Sequence, residues 1–327
     1  MSGISRRAAL VAGGLIAATG LARHAPAQRR WARPVRVVCG FPAGGLSDAF
    51  ARAYSEHLSA ALGTPFVVEN RPGAGSILAC EQVARAAPDG HTLLFTIQTA
   101  MVQNQALYRR LPYDPGRDFT YLAFMDAGRI LFCLGRAVPA ATVAEFVAWA
   151  RGNRAALGTY APGSYPHVVA VRLNAREGTD LTPVHYRGEA PMWQGLAAGD
   201  LQAAGGSYPA GLPLLQSGAA RAVAVGGPTR LGRLPGVPTF AEQGFDDPVF
   251  RSRPWHCMVG PAGMDPGLRE ELSGLMMEAG RTPRLRALLD GFGIEVGASS
   301  WRDLEQVMRD EAPAWIAAVR ELGVTLD

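Results

Sequence analysis

Two strand–turn–helix units follow one another without a linker between residues 35 and 96, and that succession restricts the chain to an α/β architecture with mostly parallel sheets. Val35-Arg36-Val37-Val38-Cys39 is a short β-rich run, and residues 40–45 form a glycine-containing turn. Leu46, Phe50, Ala53, Tyr54, Leu58, Ala61 and Leu62 then recur at helical spacing until Gly63 and Pro65 stop the helix. Phe66-Val67-Val68 opens the second unit, followed by the turn Asn70-Arg71-Pro72-Gly73-Ala74-Gly75, a helix to Ala86, the turn Pro88-Asp89-Gly90 and a strand over 92–96.

A further set begins near Ile130-Leu131-Phe132-Cys133-Leu134 and runs through a helix over 143–151 to strands near 157–160, 182–185 and 220–225. Beyond Trp255 the pattern predicts a strand at Met258-Val259-Gly260, a helix from Pro266, an apolar segment over 285–289 and a strand at Ile294-Glu295-Val296. One long amphipathic helix opened by Ser300 ends the chain, with Leu304, Val307, Met308, Trp315, Ile316, Val319 and Leu322 on one face. No Gly/Ser or Pro-rich linker divides the middle of the chain, which argues against a linear two-domain split. The expected arrangement is interlaced: a lobe of residues 128–252 inserted into a first lobe built from 28–127 plus 253–327, with two crossing strands as hinge. Trp255 is expected at that hinge or on the cleft floor.

Residues 1–27 read as a cleavable targeting peptide. Ser5-Arg6-Arg7 precedes an apolar stretch over 8–22, and Ala25-Pro26-Ala27 offers a small-x-small site before Gln28. The paired arginines match a twin-arginine signal, and a basic region of an ordinary Sec signal is the other reading; both routes end in the periplasm. The stretch is interrupted by Gly13, Gly14 and Gly20 and is shorter than the roughly 20 residues a membrane span needs.

Composition excludes several function classes. The formal charge of +4 includes Arg6, Arg7 and Arg23, which leave with the leader while no acidic residue does, so nucleic-acid binding has no electrostatic support. The chain contains no lysine, which excludes a Walker lysine, a Schiff-base lysine and a Ser-Lys dyad. Gly73-Ala74-Gly75-Ser76-Ile77-Leu78 fails the dinucleotide pattern at its last position, and no Gly-x-Ser-x-Gly elbow exists. The histidines at 57, 91, 167, 185 and 256 lack metal-ligand spacing, so neither metal nor cofactor is expected. Cys39, Cys80, Cys133 and Cys257 are scattered with no Cys-x-x-Cys pair, which leaves buried thiols and disulfides both open. An exported α/β hydrolase or isomerase with a triad assembled from distant residues is the alternative to a binding protein.

Phe41-Pro42-Ala43-Gly44-Gly45-Leu46-Ser47-Asp48 has the chemistry of an anion cradle. Gly44 and Gly45 permit positive φ and close backbone approach, and a helix starting at Ser47 or Asp48 aims free N–H groups and its positive dipole end at the turn. An ordinary βα connection with Ser47 or Asp48 as N-cap accounts equally well for the same residues.

Five stretches in order add a resemblance. Val37-Val38-Cys39-Gly40-Phe41-Pro42-Ala43-Gly44-Gly45-Leu46-Ser47-Asp48 resembles the first strand and turn of the tripartite tricarboxylate transporter receptors, also called the Bug family. Val68-Glu69-Asn70-Arg71-Pro72-Gly73-Ala74-Gly75, Ala87-Pro88-Asp89-Gly90-His91-Thr92-Leu93-Leu94, Leu111-Pro112-Tyr113-Asp114-Pro115 and Leu234-Pro235-Gly236-Val237-Pro238-Thr239 follow in the family's order. The resemblance implies a two-lobed periplasmic binding protein of the type with two crossover strands. It implies a monomer that catalyses nothing, closes on a small carboxylate, and serves the membrane subunits of a tripartite transporter or a sensor kinase.

It also implies a ligand set. Phe41, Pro42, Ala43, Gly44, Gly45, Ser47 and Asp48 form one gripping turn, with Asp48 rather a cap than a contact, and Gln98 follows the 92–96 strand. The second loop matches Tyr160-Ala161-Pro162-Gly163-Ser164-Tyr165-Pro166-His167, two residues shorter than usual; Ala161, the Gly163 amide, the Ser164 hydroxyl and His167 are its candidates. Val184-His185-Tyr186-Arg187-Gly188 resembles the family's cleft-border loop, which makes Tyr186 either a ligand contact or a support. Gly206, beside Ser207, stands where the family commonly has an aspartate. That absence leads us to expect a carboxylate without an amine.

Overall fold

The computed structural model describes residues 31–326, apart from Gly45 and Arg187. The expected leader and its cleavage site therefore lie outside the described residues. Among the described residues, eleven strands form two sheets. The first has the order β11-β4-β10-β3-β1-β2, where β1 is Val35–Cys39, β2 Phe66–Asn70, β3 Thr92–Ile97, β4 Phe119–Asp126, β10 Trp255–Pro261 and β11 Ser299–Ser300. The second has the order β7-β6-β8-β5-β9, where β5 is Ile130–Gly135, β6 Ala155–Thr159, β7 Leu181–His185, β8 Ala203–Ser207 and β9 Ala220–Val225.

Strand β1 runs parallel to β2 and β3, while β10, arriving from the far end of the chain, is antiparallel to β3 and β4. In the second sheet β6 is parallel to β7 and β8, and β5 is antiparallel to β8 and β9. The chain passes from the first sheet to the second through residues 127–129 and returns through 252–254. A third tie follows from the C-terminal helix Ala312–Arg320, whose Trp315 packs on Tyr165 with ring centroids 6.2 Å apart.

Burial explains why the sheets hold. Val35, Val37, Val38 and Cys39 of β1 are all inaccessible, as expected for a strand covered on both faces by crossover helices. Phe50, Tyr54 and Leu58 of helix Leu46–Leu62 fill one face together with Leu272 and Met276. Met192, Trp193, Leu196 and Leu201 cover Leu131 and Cys133 of the second sheet. All four cysteines are buried free thiols.

Two expected elements differ. Residues 294–296 form no strand, because the Ile294 amide caps the preceding helix by donating to Leu289 O at 2.9 Å after the left-handed Gly293 (φ 67°). The chain reaches β4 only at Ser299–Ser300. The long terminal helix is broken into Trp301–Asp310 and Ala312–Arg320. Pro313 accounts for this, since it lacks an N–H and its ring crowds the carbonyl four residues back. The N-terminal half keeps its Ser300 cap, reciprocated by Asp303.

Candidate functional site

Between the two sheets lies a cavity of about 220 Å³. Phe41, Leu46, Ser47, Gln98 and Gln103 wall it on the first-sheet side, Trp255 and His256 come from the returning strand, and Trp315 from the C-terminal helix. Ile130, Tyr160, Tyr165, Glu189 and Ser207 wall it on the second-sheet side.

The turn after β1 delivers Ser47 to this wall. Gly44 takes φ 83°, a conformation that favours glycine. Asp48 is buried beneath the turn: it accepts hydrogen bonds from the Gly44 amide at 2.9 Å, Asn70 Nδ2 at 2.9 Å and Arg52 Nε at 3.0 Å. Asn70 Nδ2 also donates to Phe41 O at 3.0 Å, so one amide side chain ties both ends of the turn. Desolvation pushes the Asp48 carboxyl up, but the bonds from Arg52, Gly44 and Asn70 together outweigh it and hold it below its ordinary value. The helix begins at Leu46, so Ser47 lies in its first turn, among N–H groups that have no partner inside the helix.

Ser47 Oγ is 2.9 Å from His256 Nε2. Burial drives the imidazole down to about 4, so it is neutral at pH 7. His256 Nδ1 has no hydrogen-bond partner among the described residues. A bare acceptor costs less than a bare buried N–H, which assigns the proton to Nε2. His256 then donates to Ser47 Oγ, and the Ser47 hydroxyl hydrogen is free for another acceptor. Gln98 Nε2, Trp255 Nε1 and Trp315 Nε1 are further buried donors without a partner among the described residues, all on wall side chains.

On the opposite wall Glu189 opens helix Glu189–Ala198. Its Oε2 accepts from Ser207 N at 3.0 Å and Ser207 Oγ at 2.6 Å. Burial raises its carboxyl above the ordinary range, and hydrogen bonds from Ser207 and from the Trp193 side chain offset part of that. Among the described residues the wall contains no arginine.

Phe41, Ser47, Gln98 and Ser207 thus meet at one cavity, while the other expected site residues lie elsewhere. Pro42, Ala43 and Gly44 are exposed along the turn, and Gly45 is outside the described residues. Ala161, Gly163, Ser164 and His167 are off the wall and bonded among themselves: Gly163 N donates to His167 Nδ1 at 3.0 Å, and Ser164 Oγ donates to Ala161 O at 2.6 Å. The left-handed Gly163 is pressed against Leu107, where a Cβ would come within 2.6 Å of Leu107 Cδ1. Tyr186 is not on the described cavity wall, and its hydroxyl packs against Gly195. Gly206 is covered: a Cβ there would sit 2.8 Å from Trp193 Cζ2.

Sequence reasoning left out Gln103, Tyr160, Tyr165, Glu189, His256 as a wall residue, and Trp315. An acid in the first turn of a helix reads as an ordinary dipole partner, which is why Glu189 gave no signal. A second hollow of about 160 Å³ lies at the crossings, where Arg129 NH1 and Arg253 NH1 share Asp126 Oδ2 at 3.2 and 3.0 Å. Arg129 and Arg253 are thus committed to the hinge, and the third lining arginine, Arg230, to Glu242 at 3.0 Å.

Two α/β sheets joined by a pair of crossings, with a cavity walled from both, define a two-lobed solute-binding protein. Residues 50–324 match the model of the tripartite tricarboxylate transporter family receptor, and the chain belongs to that family. It is 30% identical to a UPF0065 protein in the gbd 5' region of Cupriavidus necator, over 98% of this chain and 99% of that one. BugT of Bordetella pertussis is 29% identical over 97% of both chains. An R. palustris protein solved with adipate superposes with a TM-score of 0.78 at 29% identity, covering 90% of this chain and 99% of that one. MatC from Rhodopseudomonas palustris with bound malate gives 0.71 at 27%, covering 88% and 99%. The family is one of receptors, and this chain is a binding protein, not an enzyme. Among the described residues no helix is long and apolar enough to cross a membrane.

Proposed function

We propose that this chain is a periplasmic receptor that captures a small carboxylate between its lobes, 28–127 plus 253–327 on one side and 128–252 on the other, and presents it to the membrane subunits of a tripartite transporter. The observation that carries this reading is the Ser47 wall. A helix N-terminus, a hydroxyl released by His256 and the buried donor of Gln98 converge there, with no arginine among the described wall residues. Oriented neutral donors and a helix dipole stabilise a carboxylate without an ion pair. Adipate and malate in the structural relatives support the ligand class.

Phe41, Ser47, Gln98 and Ser207 are the ligand contacts in this reading, and the turn over 42–45 supplies the frame. Export removes residues 1–27, so the protein recovered from the periplasm starts at Gln28. Thermal-shift and calorimetric screens of purified protein against mono-, di- and tricarboxylates test the central claim, because a ligand that binds only the folded state raises its melting temperature. Stabilisation by at least one acid is expected, and none by any acid would sink the reading.

A further inference from the structure

We propose that the hollow behind the crossings is the working clearance of a hinge: it narrows as the ligand cavity opens, and Gly232 on its rim is the residue whose small size lets it narrow. This rests on the reading above of two lobes that close on a carboxylate, and adds what limits their opening.

The two crossings form a thin partition with a different space on each side. Ala127 and Pro254 face the ligand cavity, whereas Gly128, Arg129 and Arg253 face the hollow of about 160 Å³. The crossings are bonded to each other: Ala127 N donates to Pro254 O at 3.0 Å, and Asp126 Oδ2 pairs with one arginine on each, Arg129 at 3.2 Å and Arg253 at 3.0 Å. Lobes that turn about a bonded pair of strands trade the two spaces against each other. A rotation that parts the cavity walls brings the rims of the hollow together.

One rim is the loop 229–232 beyond the second sheet, and the other is the segment 293–297 that follows helix Pro283–Gly291. They already meet at one end. Arg233 NH2 donates to Asp290 O at 2.9 Å, and a Cβ on Gly293 would come within 2.9 Å of Leu231 Cδ1. Gly232 sits beside this contact and looks across the gap: the one atom a Cβ there would meet within 4 Å is Glu295 Oε1, at 3.1 Å. The usual reasons for a glycine do not apply at this position. Gly128 and Gly293 have left-handed φ values of 88° and 67°, and Gly232 does not. Gly297 is pressed on backbone, its Cβ falling 2.6 Å from Gly280 Cα, while Gly232 faces only the far end of a flexible side chain. The fold as it stands would accept a larger residue at 232. Approach of the two rims would not.

The test places a wedge in the hollow. Gly232→Trp is compared with the wild-type protein and with Gly236→Trp, a control in the same loop whose Cβ meets nothing within 4 Å and which does not line the hollow. Small-angle X-ray scattering of the ligand-free proteins reads the opening, and calorimetry with adipate and with malate reads the affinity. A wedge that disfavours the open state leaves less of the binding energy to be spent on closure. Gly232→Trp is therefore expected to be more compact without ligand and to bind whichever acid the wild type binds about three- to tenfold tighter, with Gly236→Trp matching the wild type in both. Unchanged dimensions, unchanged or weaker binding in Gly232→Trp, or the same gain in Gly236→Trp, overturns the proposal while the carboxylate reading stands. If neither acid binds the wild type, the ligand-free scattering decides alone, since it needs no ligand. Should Gly232→Trp fail to fold, Gly232→Val takes its place with the same signs expected.

Discussion

His256 and Ser47, 209 residues apart in sequence, meet at 2.9 Å and join the returning strand β10 to the first turn of helix Leu46–Leu62. The histidine is enclosed by Phe50 and Phe95, whose ring centroids lie 5.6 and 5.5 Å from its own. This apolar setting is what keeps it neutral.

Acid lability follows from that setting. His256 and His167 are both lowered to about 4 from 6.5, His256 by burial and His167 by burial and then by the nearby His185. The unfolded chain therefore takes up these protons first as pH falls. The two sites stabilise the fold fully above about 6.5, lose that contribution as pH drops toward 4, and change little below it. Each is worth about 3 kcal/mol over this window. Urea denaturation at pH 7.5, 6, 5 and 4 is expected to show a falling midpoint, and His256→Gln to flatten the slope by about one proton. An unchanged slope in that variant would show that His256 is accessible to protons in the folded state.

Ser47→Ala removes the freed hydroxyl and leaves the helix N-terminus in place. A hydrogen bond to a charged group contributes about 1.5–3 kcal/mol, so carboxylate affinity is expected to fall by roughly ten- to a hundredfold. The Gly44–Asp48 and Asn70–Phe41 bonds do not involve this side chain, but the buried His256 Nε2–H loses its acceptor, so stability is expected to fall by about 1–3 kcal/mol. Calorimetry and thermal unfolding on the same sample separate the two effects.

Gly206→Ala is expected to destabilise the second sheet by about 1–3 kcal/mol, the usual cost of overpacking. Position 206 lies on β8 between β6 and β5, and its Cβ would meet Trp193 Cζ2 at 2.8 Å and Met192 Cε at 3.1 Å. Trp193→Leu in the same chain is expected to relieve part of that cost, giving a favourable coupling in a double-mutant cycle read by chemical denaturation. Strictly additive losses would mean that the strand, not the indole, sets the penalty.

How much of this was legible depended on whether the signal was local. The βα units over 35–96 were readable because strand, turn and helix periods sit within a few residues of each other. β8 was not, since Ala203-Ala204-Gly205-Gly206-Ser207 has the composition of a loop and becomes a strand only because small residues fit beneath Trp193 and Pro166. The same division holds at the site. Phe41 and Ser47 lie within one motif, whereas His256, Glu189 and Trp315 reach the cavity from three separate elements and carry no mark of it in their own neighbourhoods. The Gly163-Ser164 loop shows the converse: a glycine-serine pattern suggests free donors, and His167 and Ala161 consume them.

Asp48 gives the sharpest test of whether the first turn must be held in advance. Its carboxylate gathers the Gly44 amide, Asn70 and Arg52, and an asparagine in its place keeps one acceptor oxygen while turning an NH₂ group toward those donors. Asp48→Asn is therefore expected to cost about 1–3 kcal/mol of stability and to speed hydrogen exchange at the Gly44 amide. Ser47 remains present but on a looser frame, so affinity for the carboxylate is expected to drop about tenfold, mainly through faster release. Rapid Gly44 exchange with unchanged affinity would show that the ligand, rather than Asp48, orders the turn.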